Sequence, residues 1–387
     1  MTQDEATARG IKLSETKHSM KRRSPWHDYS RKGTYMLTLV INGRQPLFGT
    51  LQGKADTPKD SDEAPHVELS PLGLSIQQEE ILKINKFYPQ VAVWKLCIMP
   101  DHMHIIVHVK EDMADGKHLG QIVKGFKTGC TRAWWRLSDG ESSETVATIV
   151  KETKGTTLTV ALASPKAPKE TTPTVASASP KAQREATPTV ASASPKAQRP
   201  VLFEKGYNDK ILLHEGQLEN WEHYLEDNPR RLLLKRQNPQ LFTILSGMAI
   251  AGEQCQIVGN RFLLDIPDKM AVIVHRRYSD EENAQLREAW LACGERGGVL
   301  VSAAISPKEK EVLREAMNRG YSIILLREKG FSNYYKPSGE AFDACAQGQL
   351  LQISPWQYHM ERKTITRQQC LHLNDLAERI VSNSFHD

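Results

Sequence analysis

Apolar positions along the chain follow two regimes separated by a long polar stretch. In the first regime Thr34-Tyr35-Met36-Leu37-Thr38-Leu39-Val40 reads as a strand and Leu74 to Phe87 as a helix. Val91 to Val109 reads as a central strand pair. His118 to Trp135 carries Leu119, Ile122, Val123 and Phe126 at helical spacing. Leu218 to Leu225 predicts a further helix, which Asn228-Pro229 should end. From about Met248 the pattern changes. Strands are predicted at Met270 to His275, Gly298 to Ser302, Tyr321 to Leu326 and Leu350 to Ile353. Helices fall between them at Asp280 to Cys293, Pro307 to Arg319 and Ser338 to Ala346. Short unbroken apolar runs separated by helices predict a parallel sheet covered on both faces, a three-layer, doubly wound α/β domain.

Residues 156–200 break both patterns. Thr159-Val160-Ala161-Leu162-Ala163-Ser164-Pro165-Lys166 recurs, with small changes, from Thr174 to Lys181 and from Thr189 to Lys196. Such a unit holds too little apolar surface to offset the entropy of ordering its backbone, so a low-complexity linker is expected. Because helical and strand segments resume at Val201, the linker interrupts an α+β domain instead of following it. Lys54 to Glu68 reads as a shorter surface excursion.

Composition narrows the function classes modestly. The chain has 387 residues, a formal net charge of +5 and 25% charged residues, a mild basicity compatible with nucleic acid but not diagnostic of it. The first fifty residues hold nine Lys/Arg against four Asp/Glu, including Lys21-Arg22-Arg23. A basic arm on phosphates and a solvated tail both fit residues 1–25. Six scattered cysteines without a Cys-x-x-Cys pair suggest thiols in a reducing cytoplasm. With no long apolar run and a polar N-terminus, no membrane partner is expected.

The most informative chemistry is His102-Met103-His104, just ahead of the β-branched run Ile105 to Val107. On a strand the two imidazoles project to one side and Met103 to the other, a spacing that can hold one divalent ion. Two structural histidines satisfied by neighbours are the alternative. His108 shares their parity but lies some 13 Å beyond His104, too far to share an ion.

The run Met99-Pro100-Asp101-His102-Met103-His104-Ile105-Ile106-Val107 resembles the signature strand of the REP-associated and insertion-sequence tyrosine transposases, single-strand DNA transposases of the His-hydrophobic-His class. Leu47-Phe48-Gly49, Leu69-Ser70-Pro71-Leu72-Gly73, Phe203-Glu204-Lys205-Gly206-Tyr207-Asn208-Asp209-Lys210-Ile211-Leu212 and Tyr224-Leu225-Glu226-Asp227-Asn228-Pro229 resemble family segments in family order. The likeness covers roughly residues 26–137 and 200–236. It implies a ferredoxin-like α+β fold in two parts, 26–155 and 201–245, and a homodimer. It also implies Mg²⁺ or Mn²⁺ on His102 and His104, and cleavage and rejoining of hairpin-bearing single-stranded DNA through a 5′-phosphotyrosine. Tyr207 matches the catalytic tyrosine, carried on a tyrosine helix. The family's third metal ligand lies about one turn further on, where this chain has Lys210 and Ile211; Asp209, Asn208 or His214 are the substitutes. That departure keeps open a domesticated hairpin-binding protein without the chemistry. Relaxase-type nickases share the histidine pair but carry a longer metal cluster that this sequence lacks.

Lys124, Lys127 and Arg132, with Arg136, form either a phosphate-facing stripe or a solvated helix face, and Trp134-Trp135 either stack on bases or pack in the core. More faintly, residues 269–375, within a domain expected over 250–387, resemble the Rossmann-like core of the DNA-processing recombination mediators. The phosphate-binding glycines are mostly replaced, in His275-Arg276-Arg277-Tyr278-Ser279 and Ser302-Ala303-Ala304-Ile305-Ser306-Pro307-Lys308. Arg276, Arg277 and Lys308 remain as candidate phosphate contacts.

Overall fold

The computed structural model describes residue 24 and residues 27–114, 116–140, 199–275, 277–333, 335–359 and 365–382. The expected basic arm, the repetitive linker up to residue 198 and Arg276 lie outside the described residues. The chain divides into two compact units, Met1–Arg230 and Arg231–Asp387.

In the first unit, β1 (Gly33–Val40) is followed by a hairpin of β2 (Gly49–Gln52) and β3 (His66–Leu69), which forms the base of the predicted excursion. Helix α1 (Pro71–Ser75) starts at Ser70, whose side chain accepts from the Gly73 amide, and runs through a π turn (Ile76–Glu80) into α2 (Ile81–Phe87). Then come β4 (Val91–Met99), β5 (His102–Val109), α3 (Leu119–Ser138) and β6 (Asn208–Ile211). The four long-range strands form one antiparallel sheet in the order β4-β5-β1-β6. Helix–strand alternation with this order is consistent in general terms with a ferredoxin-like sandwich.

Alternation along the strands gives the sheet two distinct faces. Tyr35, Leu37 and Leu39 of β1 and Met103, Ile105 and Val107 of β5 pack against Ile81, Ile84, Ile122, Val123 and Phe126 in the main core. On the opposite face Met36 and Ile106 meet Trp221 and Leu225 of α4 (Gln217–Gln237). Helix α4 does not end at Pro229 as its sequence suggests. Proline there removes the amide that would bond the Leu225 carbonyl, and the Cys97 thiol of β4 donates to that carbonyl instead, at 3.3 Å. A partner from the sheet thus replaces the lost helical bond.

The second unit is also mixed α/β. Its sheet runs β7-β8-β12-β11-β10-β9, comprising Leu245–Ile250, Glu253–Gly259, Leu350–Ser354, Ser322–Leu326, Val299–Ser302 and Lys269–Ala271 respectively. The last four are mutually parallel and β7-β8 is an antiparallel hairpin added at β12. Helices α5 (Asp280–Glu295), α6 (Pro307–Asn318) and α7 (Glu340–Ala346) pack on one face, and α8 (Arg367–Ser382) on the other. Three layers are present, but the expected double winding is not. The parallel strands succeed one another without reversal, so each right-handed crossover places its helix on the same side. No described strand reversal creates a switch-point crevice of the kind that holds ligands in doubly wound sheets.

Candidate active site

His102 and His104 lie on the α4 face of the sheet, their ring centroids 5.0 Å apart and their planes perpendicular. Each has its Nδ1 engaged by the protein. His102 Nδ1 is 2.6 Å from Asp101 Oδ1, and His104 Nδ1 is 2.9 Å from Thr38 Oγ1 on the paired position of β1. An ionised carboxylate only accepts, so neutral His102 carries its proton on Nδ1 and its lone pair on Nε2. Thr38 can accept from His104 in the same tautomer.

His104 is 5% exposed, and its Nε2 is buried without a hydrogen-bond partner. Burial first, then the charges of His102, Lys210 and Arg44, lowers its pKa to about 3, so the ring is neutral at ordinary pH. Asp101 shows the opposite balance. Burial alone would raise its pKa, but the His102 hydrogen bond and charge, with those of Arg44, hold it at about 2. Arg44 Nη1 reaches Asp101 Oδ2 at 3.1 Å. Carboxylate and hydroxyl partners of this kind orient imidazoles for metal binding. The orphaned Nε2 of a neutral His104, beside His102, therefore fits a bound divalent cation. Among the described residues no group of three or more His, Cys, Asp or Glu side chains is placed to hold an ion.

The tyrosine that meets this pair is Tyr224. Its ring lies edge-on to His104, centroids 5.7 Å apart and planes at 71°. Helix α4 positions it through Trp221 and Leu225 on the sheet, the Cys97–Leu225 bond and a 2.6 Å ion pair from Lys95 to Glu226. Gln217 fixes the start of the helix, accepting from the Leu213 and His214 amides and donating to the Ile211 carbonyl.

Tyr207 and Asp209 fall elsewhere. β6 pairs with β1 so that Asn208 opposes Thr38, Asp209 opposes Leu37 and Lys210 opposes Met36. Asn208 and Lys210 thus share the histidine face, whereas Asp209 accepts a 2.7 Å bond from Tyr29 on the main-core side. Tyr207, just ahead of β6 and not on a helix, packs against that same core. The expected nucleophile and substitute ligand are therefore separated from the histidines by the thickness of the sheet. His214 is exposed in the turn before α4.

The basic stripe of α3 also belongs to the far face. Lys127 donates to the carbonyls of Glu204 and Gly206, at 2.5 and 2.8 Å, and so anchors the segment entering β6. Burial lowers its pKa to about 8, against the opposing charge of Glu204. Lys124 and Arg132 are exposed, and Arg136 lies 3.7 Å from the buried Glu80. Trp134 packs against the core, while Trp135 donates to the Pro200 carbonyl at 2.8 Å. His108 stacks on Trp94, centroids 4.4 Å apart, and bonds Thr34.

In the second unit the backbone amides that follow β9 and β10 meet a carboxylate of the chain itself. The Glu309 carboxylate, 2% exposed, accepts from the amides of Val274, Ile305 and Ser306 at 2.9, 2.6 and 3.0 Å. Lys308 pairs with Asp280 at 2.9 Å, and Arg277 is exposed.

Sequence reasoning passed over Tyr224, Thr38, Arg44 and Lys210 as site residues. A tyrosine flanking the apolar stripe Leu218-Trp221-Leu225, and a threonine within an otherwise apolar strand, were the available signals for the first two.

No family model matches the chain. An uncharacterized protein of Haemophilus influenzae is 25% identical over 139 residues, 31% of this chain and 69% of the relative. Among solved structures, DNA processing protein A from Helicobacter pylori, described for its single-stranded DNA binding mode, superposes with a TM-score of 0.28 and 18% identity. It covers 36% of this chain and 65% of its own. A REP-associated tyrosine transposase bound to a REP hairpin gives a TM-score of 0.25 and 11% identity over 54% of this chain and 72% of its own.

Proposed function

We propose that the first unit is a metal-assisted DNA transesterase of the tyrosine-transposase type, cleaving and rejoining single-stranded DNA at hairpin-associated sites, with Tyr224 as nucleophile. The observation that carries it is the Tyr224 ring against a neutral His104 whose Nε2 is buried and unpartnered.

The Tyr224 hydroxyl oxygen attacks a backbone phosphorus. A bond forms from the phenolic oxygen to phosphorus, and the bond from phosphorus to the 3′ oxygen breaks. The phenolic proton is lost to solvent and the released 3′ oxygen takes one up. The resulting 5′-phosphotyrosine keeps the phosphodiester energy, so a second 3′-hydroxyl can displace the tyrosine and rejoin strands. Mg²⁺ or Mn²⁺, held by Nε2 of His102 and His104, would polarise the phosphoryl oxygen. Asp101 holds His102 with a proton on Nδ1, Thr38 can accept from His104 Nδ1 and leave the Nε2 lone pair free, and α4 places the Tyr224 ring against His104. A free phenol with an ordinary pKa near 10 is a poor nucleophile at neutral pH, and positive charge near the hydroxyl would assist it.

The test is a strand-cleavage assay with Mn²⁺ and hairpin oligonucleotides from the neighbourhood of the gene. Cleavage by the wild type and its loss in His104→Ala support transesterification. Hairpin binding without cleavage, unchanged in His104→Ala, supports the second reading, a domesticated DNA-binding protein, which the lack of a third His, Cys, Asp or Glu ligand among the described residues favours.

A further inference from the structure

We infer that Arg44 and Lys210 form a clamp for the phosphate that enters between them over the histidine pair. This deepens the strand-transfer proposal and rests on it for the identity of the ligand, a phosphodiester of single-stranded DNA.

Arg44 is held at some conformational expense. It follows a turn in which the Arg44 amide bonds the Ile41 carbonyl at 3.0 Å, with Gly43 at φ 69°. Arg44 itself has φ 57°, a left-handed backbone that a glycine would adopt freely and that few other side chains favour. Strain of this kind persists where surrounding structure enforces it and concentrates at functional sites. What it secures here is a guanidinium beside Asp101 and His102. One nitrogen, Nη1, is bonded to Asp101, and the side chain is 59% exposed. The guanidinium carries further donors beyond that bond, in the planar fork that takes a phosphate.

Lys210 closes the other side. It stands on the histidine face of β6, opposite Met36, and is exposed. Two residues along from Asn208 on that face, it is one strand away from His104, whose partner Thr38 on β1 pairs with Asn208. Arg44 lies past the His102 end of the sheet and Lys210 across β1, so a phosphate over the pair meets positive charge from two directions.

The experiment measures binding of a fluorescent single-stranded hairpin oligonucleotide over a salt series in EDTA. The proteins are the wild type, Arg44→Gly, Lys210→Gln, the double variant and Lys124→Gln, whose side chain lies on α3 across the sheet. Each phosphate contact on single-stranded DNA contributes about 0.7 to the slope of log affinity against log salt. Arg44→Gly and Lys210→Gln should each lower the slope by about that amount and weaken binding several-fold at low salt. The double variant should lose about twice as much, and Lys124→Gln nothing. Arg44→Gly, suited to the left-handed backbone, should melt no lower than the wild type, so lost binding would not reflect unfolding. Wild-type slope and affinity in both Arg44→Gly and Lys210→Gln overturn the clamp, as does a loss confined to Lys124→Gln. Strand transfer is judged separately: a wild type that binds with these slopes yet never cleaves retains the clamp and refutes the transesterase.

Discussion

Tyr224 and His104 meet edge to face, 5.7 Å between ring centroids, although 120 positions separate them in the chain. One rides on a helix and the other on the second strand of a hairpin, and the contact exists only because α4 covers the sheet face opposite the main core. That face holds the histidines and, among its cations, Lys95 and Lys210. The other holds Tyr207, Asp209 and the α3 lysines.

Thr38 should matter to metal affinity more than to folding. Thr38→Val keeps the β-branched shape but removes the oxygen that engages His104 Nδ1. Loss of such an outer partner typically costs 10- to 100-fold in metal affinity. Mn²⁺ titration followed by thermal shift should show the weakening, with little change in the metal-free melting temperature. Unchanged Mn²⁺ affinity would mean that Thr38 does not orient the ring.

Cys97 should support the continuation of α4 past Pro229. Cys97→Ala leaves the Leu225 carbonyl without the thiol that now donates to it, and should destabilise the first unit by about 1–2 kcal/mol in urea unfolding. Cys97→Ser retains a donor and should recover part of the loss. Equal stability of the three proteins would show that the thiol contributes nothing to the helix.

Much of this fold was legible in the sequence. The β-branched run in β5, the apolar spacing of α3 and the unbroken runs of β10 and β11 gave their elements directly, because burial imposes those patterns locally. The persistence of α4 was not legible, since its compensation comes from Cys97, more than a hundred residues away. Nor was the parity of β6. Which of Tyr207, Asn208, Asp209 and Lys210 face the histidines depends on pairing with β1, and a one-residue slip exchanges the two sets. The hairpin of β7 and β8 escaped notice because Ser246-Gly247 and Ala251-Gly252 interrupt its apolar pattern.

The Tyr29 environment gives a pH dependence with a definite sign. Burial, and then the hydrogen bond to Asp209, raises the Tyr29 pKa from 10 to about 12. The folded state holds this proton more tightly than the unfolded chain. Its stabilisation is complete below pH 10 and disappears as pH rises through about 12. Chemical denaturation from pH 9 to 11.5 should show stability falling, and Tyr29→Phe should make the fall shallower. An equally steep fall in the variant would assign it to other groups, Tyr35 foremost.

Glu309 acts as a built-in anion. Glu309→Ala leaves three partly buried amides without their acceptor and should destabilise the second unit by about 1–3 kcal/mol. Millimolar sulfate or phosphate should restore part of the melting temperature in the variant and leave the wild type unaffected. Equal anion effects on both proteins would show that the amides do not form an anion seat.

The most direct test is to identify the residue that becomes linked to DNA. Wild-type protein, Mn²⁺ and a hairpin oligonucleotide would be incubated and digested, and the nucleotide-bearing peptide sequenced by mass spectrometry. With Tyr224 as nucleophile, the modified peptide contains Tyr224, Tyr224→Phe abolishes the adduct and Tyr207→Phe retains it. An adduct on Tyr207, persisting in Tyr224→Phe, would contradict the assignment and require the histidine pair to act on a tyrosine from the other side of the sheet or from a second copy of the chain.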